Sequence, residues 1–205
     1  MENMQFSWGI SLLISYLLGS ISFSYLFTRW LKGVDIREYG SGNAGATNTL
    51  RVLGVGPAAV VFLLDAVKGV AAVGIGHWLS HGDPVWMVVC GIAAIIGHNW
   101  PVFLRFRGGK GIATMVGVTA TCFFGATLVS GILAILFIAI TRYVSLGSLV
   151  LALFIPIMMW IMNYSWVMIG LMLIITAMSI WRHRQNINNL IHGKERKISF
   201  RGEKA

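Results

Sequence analysis

Apolar residues fill this chain in long runs separated by short polar segments, with neither the strict alternation of a half-buried strand nor the one-sided stripe of a surface helix. The run from Trp8 to about Thr28 is long enough for a membrane-spanning helix, which needs roughly 20 apolar residues. Runs from about Pro57 to Leu79 and from about Val85 to Trp100 predict two more spans. Two further runs, Gly111 to Thr141 and about Leu146 to Trp181, are longer than one crossing requires. Length alone leaves each of these as one helix or two.

Charge resolves that ambiguity. All but Lys68 of the 16 Lys and Arg residues fall into four groups: Arg29 to Arg51, Arg105 to Lys110, Arg142, and Arg182 to Lys204. Basic loops stay in the cytoplasm, so the four groups share one side and each long run crosses twice. The turns are expected near Phe124 to Thr127 and Asn163 to Ser165. The predicted fold is therefore all-α: a polytopic membrane protein with seven transmembrane helices, its N-terminus outside and its C-terminus cytoplasmic. The two helices within Gly111 to Thr141 must be short, which predicts tilt or locally thinned membrane. Only Glu2 precedes the first run, without the basic flank of a cleaved leader, so that span is expected to be retained. Residues 1–205 read as a single membrane-embedded domain with a basic cytoplasmic tail from about 188.

Composition agrees. The chain is 57% hydrophobic and 11% charged, with a mean hydropathy of +0.77, whereas a soluble domain carries about 25% charged residues. A net charge of +9 would suggest nucleic acid in a soluble protein; here it follows the loops, and no nucleic-acid partner is expected. Cys90 and Cys122 lie in apolar stretches and read as small buried residues, with no metal-ligand spacing. Asp65 and Lys68 lie about 12 to 17 Å along the second span from Pro57, at roughly 1.5 Å per residue. Charges at that depth must pair or face a polar cavity, and a structural pair is the first reading.

Three polar stretches on the cytoplasmic side carry candidate chemistry. GSGNAGATN, Gly40 to Asn48, contains G-x-G-x-x-G, but no βαβ unit fits between two membrane helices, and Ala46 stands where a P-loop requires Lys. What survives is the physics beneath both motifs. Gly40, Gly42 and Gly45 let backbone N–H groups converge on an anion, Ser41, Asn43, Thr47 and Asn48 add side-chain donors, and Arg51 adds a planar fork suited to phosphate. In GHNWPVFLRFRGGKG, Gly108 and Gly109 allow close backbone approach beside Lys110, just before another helix start that favours anions. Arg105 and Arg107 read as ordinary positive-inside charges, and His98 as a candidate base or an interfacial anchor. In WRHRQNI, His183 and Asn186 stand three apart and are expected to share a helical face. The tail after Lys194 reads as a solvated segment that binds an anionic surface.

Together, GSGNAGATNTLR, GHNWPVFLRFRGGKG and HRQNI resemble the three cytoplasmic motifs of the bacterial integral-membrane acyl-phosphate:glycerol-3-phosphate acyltransferases (PlsY type). The chain departs from that pattern at Asn189, where a basic residue is expected. The resemblance implies a seven-helix enzyme of the bacterial cytoplasmic membrane with its active site facing the cytoplasm. It implies acyl transfer from acyl phosphate to glycerol 3-phosphate, giving lysophosphatidic acid, without a cofactor or metal and without an obligate protein partner. The positions it carries over are Ser41, Thr47, Arg51, Lys110, His183 and Asn186, with Ser148 a further candidate. Ser41, Lys110, His183 and Asn186 are the expected catalytic groups; the glycine loops, Arg51 and Ser148 are expected to bind substrate. Acyl phosphate is already activated, so single-step transfer is favoured, with His98, His183 or a substrate phosphate oxygen accepting the proton. A small transporter of phosphate or organic phosphate is the main alternative, though no internal repeat is seen. A lipid-binding scaffold would leave Lys110 unexplained.

Overall fold

Helices occupy the apolar runs almost throughout. The computed structural model describes residues 2–198, with side chains from residue 8 onward; Arg201 and Lys204 of the basic tail lie outside the described residues. The first run holds α1 (Glu2–Ser20) and α2 (Phe23–Lys32), broken at Ile21 and Ser22. Ser22 caps α2, its hydroxyl accepting from the Tyr25 N–H at 3.4 Å. Then follow α3 (Ala46–Leu53), α4 (Val55–Leu79) and α5 (Pro84–Asn99). Asp83 caps α5 by accepting from Val85 and Trp86 N–H groups, while Pro84 fills the first turn, where no N–H is needed.

Each long run does break once. The first divides at Phe123 into α6 (Ile112–Cys122) and α7 (Phe124–Thr141), one residue ahead of the expected turn. The Phe123 ring meets Tyr164 edge-on, with centroids 5.5 Å apart. The second run divides between α8 (Val144–Ile161) and α9 (Trp166–Arg182), as the polar residues Asn163 and Ser165 predict. After α9 comes α10 (Arg184–Ile191), bent from it by 60°. No strand occurs among the described residues. Among the described residues, five segments are long and apolar enough to cross a membrane, and a sixth if α9 and α10 count as one span. Of the two short helices expected within Gly111 to Thr141, α6 has 11 residues, whereas α7 with 18 is long enough to cross.

The described chain forms two compact units, residues 2–118 and 119–198, dividing within α6. Lipid tails are as apolar as leucine, so helices associate by close packing, and small residues permit it. In the first unit, α1 and α5 meet backbone to backbone: a side chain at Gly19 would overlap the Ala94 carbonyl, and one at Gly97 would overlap that of Tyr16. Gly76 of α4 lies in the same way against Met87 of α5. Around these seams Val61, Val73, Val88 and Ile95 are buried. In the second unit, Gly147 of α8 approaches the Ala134 carbonyl of α7. Thr176 of α9 donates to the Ala152 carbonyl of α8 at 2.8 Å, adding an interhelical hydrogen bond. Leu128, Ile132, Ile135, Leu136 and Ile140 of α7 are exposed at helical spacing, an outer face suited to lipid.

These seams predict a contrast between glycines. Gly97→Val forces a side chain into the α1 backbone and should cost about 1 to 3 kcal/mol or prevent folding, as overpacking does. Gly74→Ala, with nothing within 4 Å of the added carbon, should be neutral or stabilise by up to about 1 kcal/mol. Thermal unfolding of the purified variants in detergent compares the two.

Candidate active site

The segment from Asp35 to Arg51 builds the first loop of the site. Gly40 and Gly42 adopt φ of 59° and 69°, left-handed values that favour glycine. Asn48, buried on α3, ties the loop together: its Oδ1 accepts from the Ser41 N–H at 2.8 Å, and its Nδ2 donates to the Tyr39 and Ile36 carbonyls at 2.9 and 3.1 Å. Asn48 is thus the organiser of the loop and not one of its outward donors, contrary to the sequence expectation. The cradle is also narrower than the glycines suggest, because the N–H groups of Ser41 and Gly42 are turned inward, the latter to the Tyr39 carbonyl. The first-turn N–H groups of α3, at Ala46 and Thr47, have no helical carbonyl to bind. They lie beside the Ser41 and Asn43 side chains in sequence, with Gly45 as the helix cap. Arg51, one turn beyond Thr47 on α3, is half-buried.

Arg37 joins this loop to the second one. Asp35 caps the short 3₁₀ helix Ile36–Glu38 and grips the Arg37 guanidinium, at 2.6 Å to Nη2. The other arm, Nη1, donates to the Leu104 carbonyl at 2.9 Å. The hydrogen bond from Arg37 holds the Asp35 carboxyl below the usual carboxylate range. Its contribution is therefore present at neutral pH and is lost only as pH falls through that lowered value. Sequence reading counted Arg37 merely as a basic loop residue; Asp-x-Arg ahead of a glycine loop was the available signal.

Between α5 and α6 the chain turns tightly through Arg105 and Phe106, both left-handed at φ 52° and 61°. Arg105 and Arg107 are exposed, as their reading as orientation charges requires. Gly108 and Gly109 are buried against His98: the Gly109 N–H donates to the His98 carbonyl at 3.0 Å. A side chain at Gly109 would overlap His98 Nε2 and lie 2.8 Å from the Ala44 carbonyl of the first loop. The two glycine loops thus meet across Gly109. Lys110 follows, half-buried, before Gly111 at φ 77° starts α6.

The second unit carries Ser148, His183 and Asn186. Ser148 is buried in the second turn of α8, its hydroxyl donating back to the Val144 carbonyl at 2.9 Å. His183 and Asn186 do not lie on one continuous helix, because His183 sits at the bend between α9 and α10. Its Nδ1 faces the Ser179 carbonyl at 2.8 Å. A carbonyl can only accept, so Nδ1 carries hydrogen and the neutral ring keeps its lone pair on Nε2. Asn186 donates to Glu195 Oε1 at 2.7 Å, and Ser145 donates to the same oxygen at 2.7 Å. Lys194, Arg196 and Lys197 are exposed, as expected of a solvated tail, but the segment is also anchored. Glu195 ties it to α8 and α10, and Ile198 and Arg142 exchange hydrogen bonds at 2.8 and 3.1 Å. A lone acid among Lys194, Arg196 and Lys197 was the sequence signal for that anchor.

A model of the glycerol-3-phosphate acyltransferase family matches residues 9–193. Glycerol-3-phosphate acyltransferases of Shouchella clausii and Halalkalibacterium halodurans are each 52% identical, over 92% of this chain and 94% of theirs. Among solved structures, PlsY (YgiH), an integral membrane glycerol 3-phosphate acyltransferase crystallised in its glycerol 3-phosphate form, superposes with a TM-score of 0.87 at 36% identity, covering 94% of this chain and 96% of that one. Its lysophosphatidic acid form gives 0.85 at 35% identity, over 95% and 96%. With the family model and its relatives matched along nearly its whole length, the chain belongs to the glycerol-3-phosphate acyltransferase family.

Proposed function

We propose that this chain is an integral-membrane enzyme that transfers a fatty acyl group from acyl phosphate to the sn-1 hydroxyl of glycerol 3-phosphate. The products are lysophosphatidic acid and phosphate, and the reaction is the first acylation of bacterial phospholipid synthesis. The observation that supports the reading is the near full-length likeness to a protein crystallised in a glycerol 3-phosphate form and, separately, in a lysophosphatidic acid form. The whole chain serves as one catalytic domain in the bacterial cytoplasmic membrane, with seven spans, an external N-terminus and a cytoplasmic site.

The reaction concentrates negative charge. Attack of the glycerol hydroxyl on the acyl carbon forms a C–O bond, places charge on the carbonyl oxygen and expels phosphate. Fixed donors where that charge develops lower the barrier. In the first unit Ser41, Thr47 and the start of α3 supply donors, and Arg51 and Lys110 supply charge. In the second unit His183, Asn186 and Ser148 are the substrate-directed groups, with Glu195 orienting the Asn186 amide. Acyl phosphate has its own leaving group, so no covalent enzyme intermediate is needed. A substrate phosphate oxygen takes the hydroxyl proton.

Orientation is tested by labelling single cysteines in intact cells. Positions Arg142 and Lys197 should resist an impermeant reagent, whereas His81 and Tyr164 should react. External labelling at position 142 would refute the seven-span count.

Charge at the first loop is tested with purified protein, acyl phosphate and glycerol 3-phosphate. Arg51→Ala should remove a charge-assisted contact worth about 1.5 to 3 kcal/mol, roughly ten- to a hundredfold in kcat/KM. Arg51→Lys should restore activity only in part, since it keeps the charge and loses the fork. Gly42→Val is a poorer probe, because the left-handed backbone there strains any side chain regardless of ligand.

The proton acceptor is tested by His183→Ala. Substrate assistance predicts measurable turnover with a modest loss. A fall of about 10²- to 10⁴-fold in kcat at unchanged substrate affinity would instead make His183 the base.

A further inference from the structure

The first unit holds a fully buried polar cluster outside the loops. Asp65 and Lys68 of α4 and His98 of α5 are 1%, 2% and 5% exposed. The Lys68 Nζ lies 2.7 Å from Asp65 Oδ1, 2.8 Å from the Ile21 carbonyl and 2.9 Å from His98 Nδ1. Asp65 Oδ1 is also 3.5 Å from His98 Nδ1. The Phe23 ring faces the ammonium at 5.8 Å. Ile21 sits in the break between α1 and α2, so its carbonyl is available to a donor that a continuous helix would exclude.

Counting hydrogens assigns the protons. An ammonium has three N–H donors and no lone pair; Nζ is within hydrogen-bond reach of the Ile21 carbonyl and His98 Nδ1 and forms an ion pair with the Asp65 carboxylate. Two of these partners, the carboxylate and the carbonyl, can only accept. The contact with His98 allows two arrangements: an ammonium donating to a bare Nδ1, or a neutral amine accepting from an Nδ1–H of a neutral or charged ring. Lysine ordinarily holds a proton about 10⁴-fold more tightly than histidine, which favours the first. His98 Nδ1 then accepts, and its hydrogen resides on Nε2. That atom is the one packed against Gly109, on the side where Gly109 also meets the Ala44 carbonyl.

A buried ion pair is a weak source of stability, because desolvation offsets its attraction. A charged cluster inside a membrane helix bundle is instead a device for fixing geometry. We propose that Asp65 and Lys68 lock His98 as its neutral Nε2–H form and, through it, hold the Gly108–Gly109–Lys110 loop at one spacing from the loop that ends in Ala44 and Gly45. His98 is thereby a positioning residue for Lys110 and Arg51, not a proton acceptor in the reaction. The inference rests on the acyltransferase reading for its kinetic consequence, but not for the assignment of the proton.

Two measurements test it. Nitrogen NMR of histidine-labelled full-length protein in detergent should show one neutral Nε2–H histidine whose signal is absent in His98→Gln. In acyl-transfer assays, His98→Ala and Lys68→Met should raise KM for glycerol 3-phosphate by up to about 100-fold, as a misplacement of about 1 Å can, in variants that still purify as folded protein. His98→Gln, whose amide N–H reaches the Nε2 position, should recover most of that loss. An imidazolium or an Nδ1–H form of His98 in the unsubstituted protein would overturn the proposal, as would equal KM values for His98→Ala and His98→Gln. If Lys68→Met does not fold, the NMR assignment and the Ala/Gln pair still decide. Absence of acyl transfer by the unsubstituted protein would refute the proposed function, while the NMR result alone would then rule on the proton lock.

Discussion

Hydrocarbon offers no partner for a backbone N–H or C=O, and every other feature of this chain adapts to that fact. Helices run through the apolar segments because only a helix satisfies its own backbone. Where a helix is interrupted at Ile21 and Ser22, substitutes are close at hand: the Ser22 hydroxyl serves the start of α2, and the Lys68 ammonium takes the Ile21 carbonyl. The same constraint explains the backbone contacts at Gly19 and Gly97, since helices that gain nothing from excluding lipid must gain from proximity.

Much of the fold was legible because apolar run length and basic loop position are one-dimensional quantities. The breaks within the two longest runs followed from charge parity before any helix was seen. The break between α1 and α2 was not legible: Ile21 to Ser24 contains no Pro or Gly, and the donor that takes the freed Ile21 carbonyl is a lysine 47 positions away. The bend at His183 was missed for a similar reason, since WRHRQNI continues the periodicity of α9 without interruption.

The candidate site divides along the same line. The left-handed turns at Gly40 and Gly42 and the exposed Arg105 and Arg107 could be read from residue type. Asn48, Arg37 and Glu195 were not assigned, because residue type leaves open which atoms each one binds: the Tyr39 and Ile36 carbonyls, the Leu104 carbonyl, and the Ser145 and Asn186 donors. Residue type indicates what a side chain can bind; folding decides whether that capacity faces a substrate or is consumed within the loop. Asn48 shows the second outcome, and its consumption is what gives the Ser41 loop a defined shape.

Glu195 adds an order of events. It follows α7 to α10 in the chain, yet it is the acceptor for Ser145 at the start of α8 and Asn186 in α10. During synthesis, which proceeds from the N-terminus, those helices emerge before the carboxylate that organises their polar end. The helices of the second unit can therefore be in place while the polar end around Ser145 and Asn186 is still unfinished, and a few residues beyond α10 complete it.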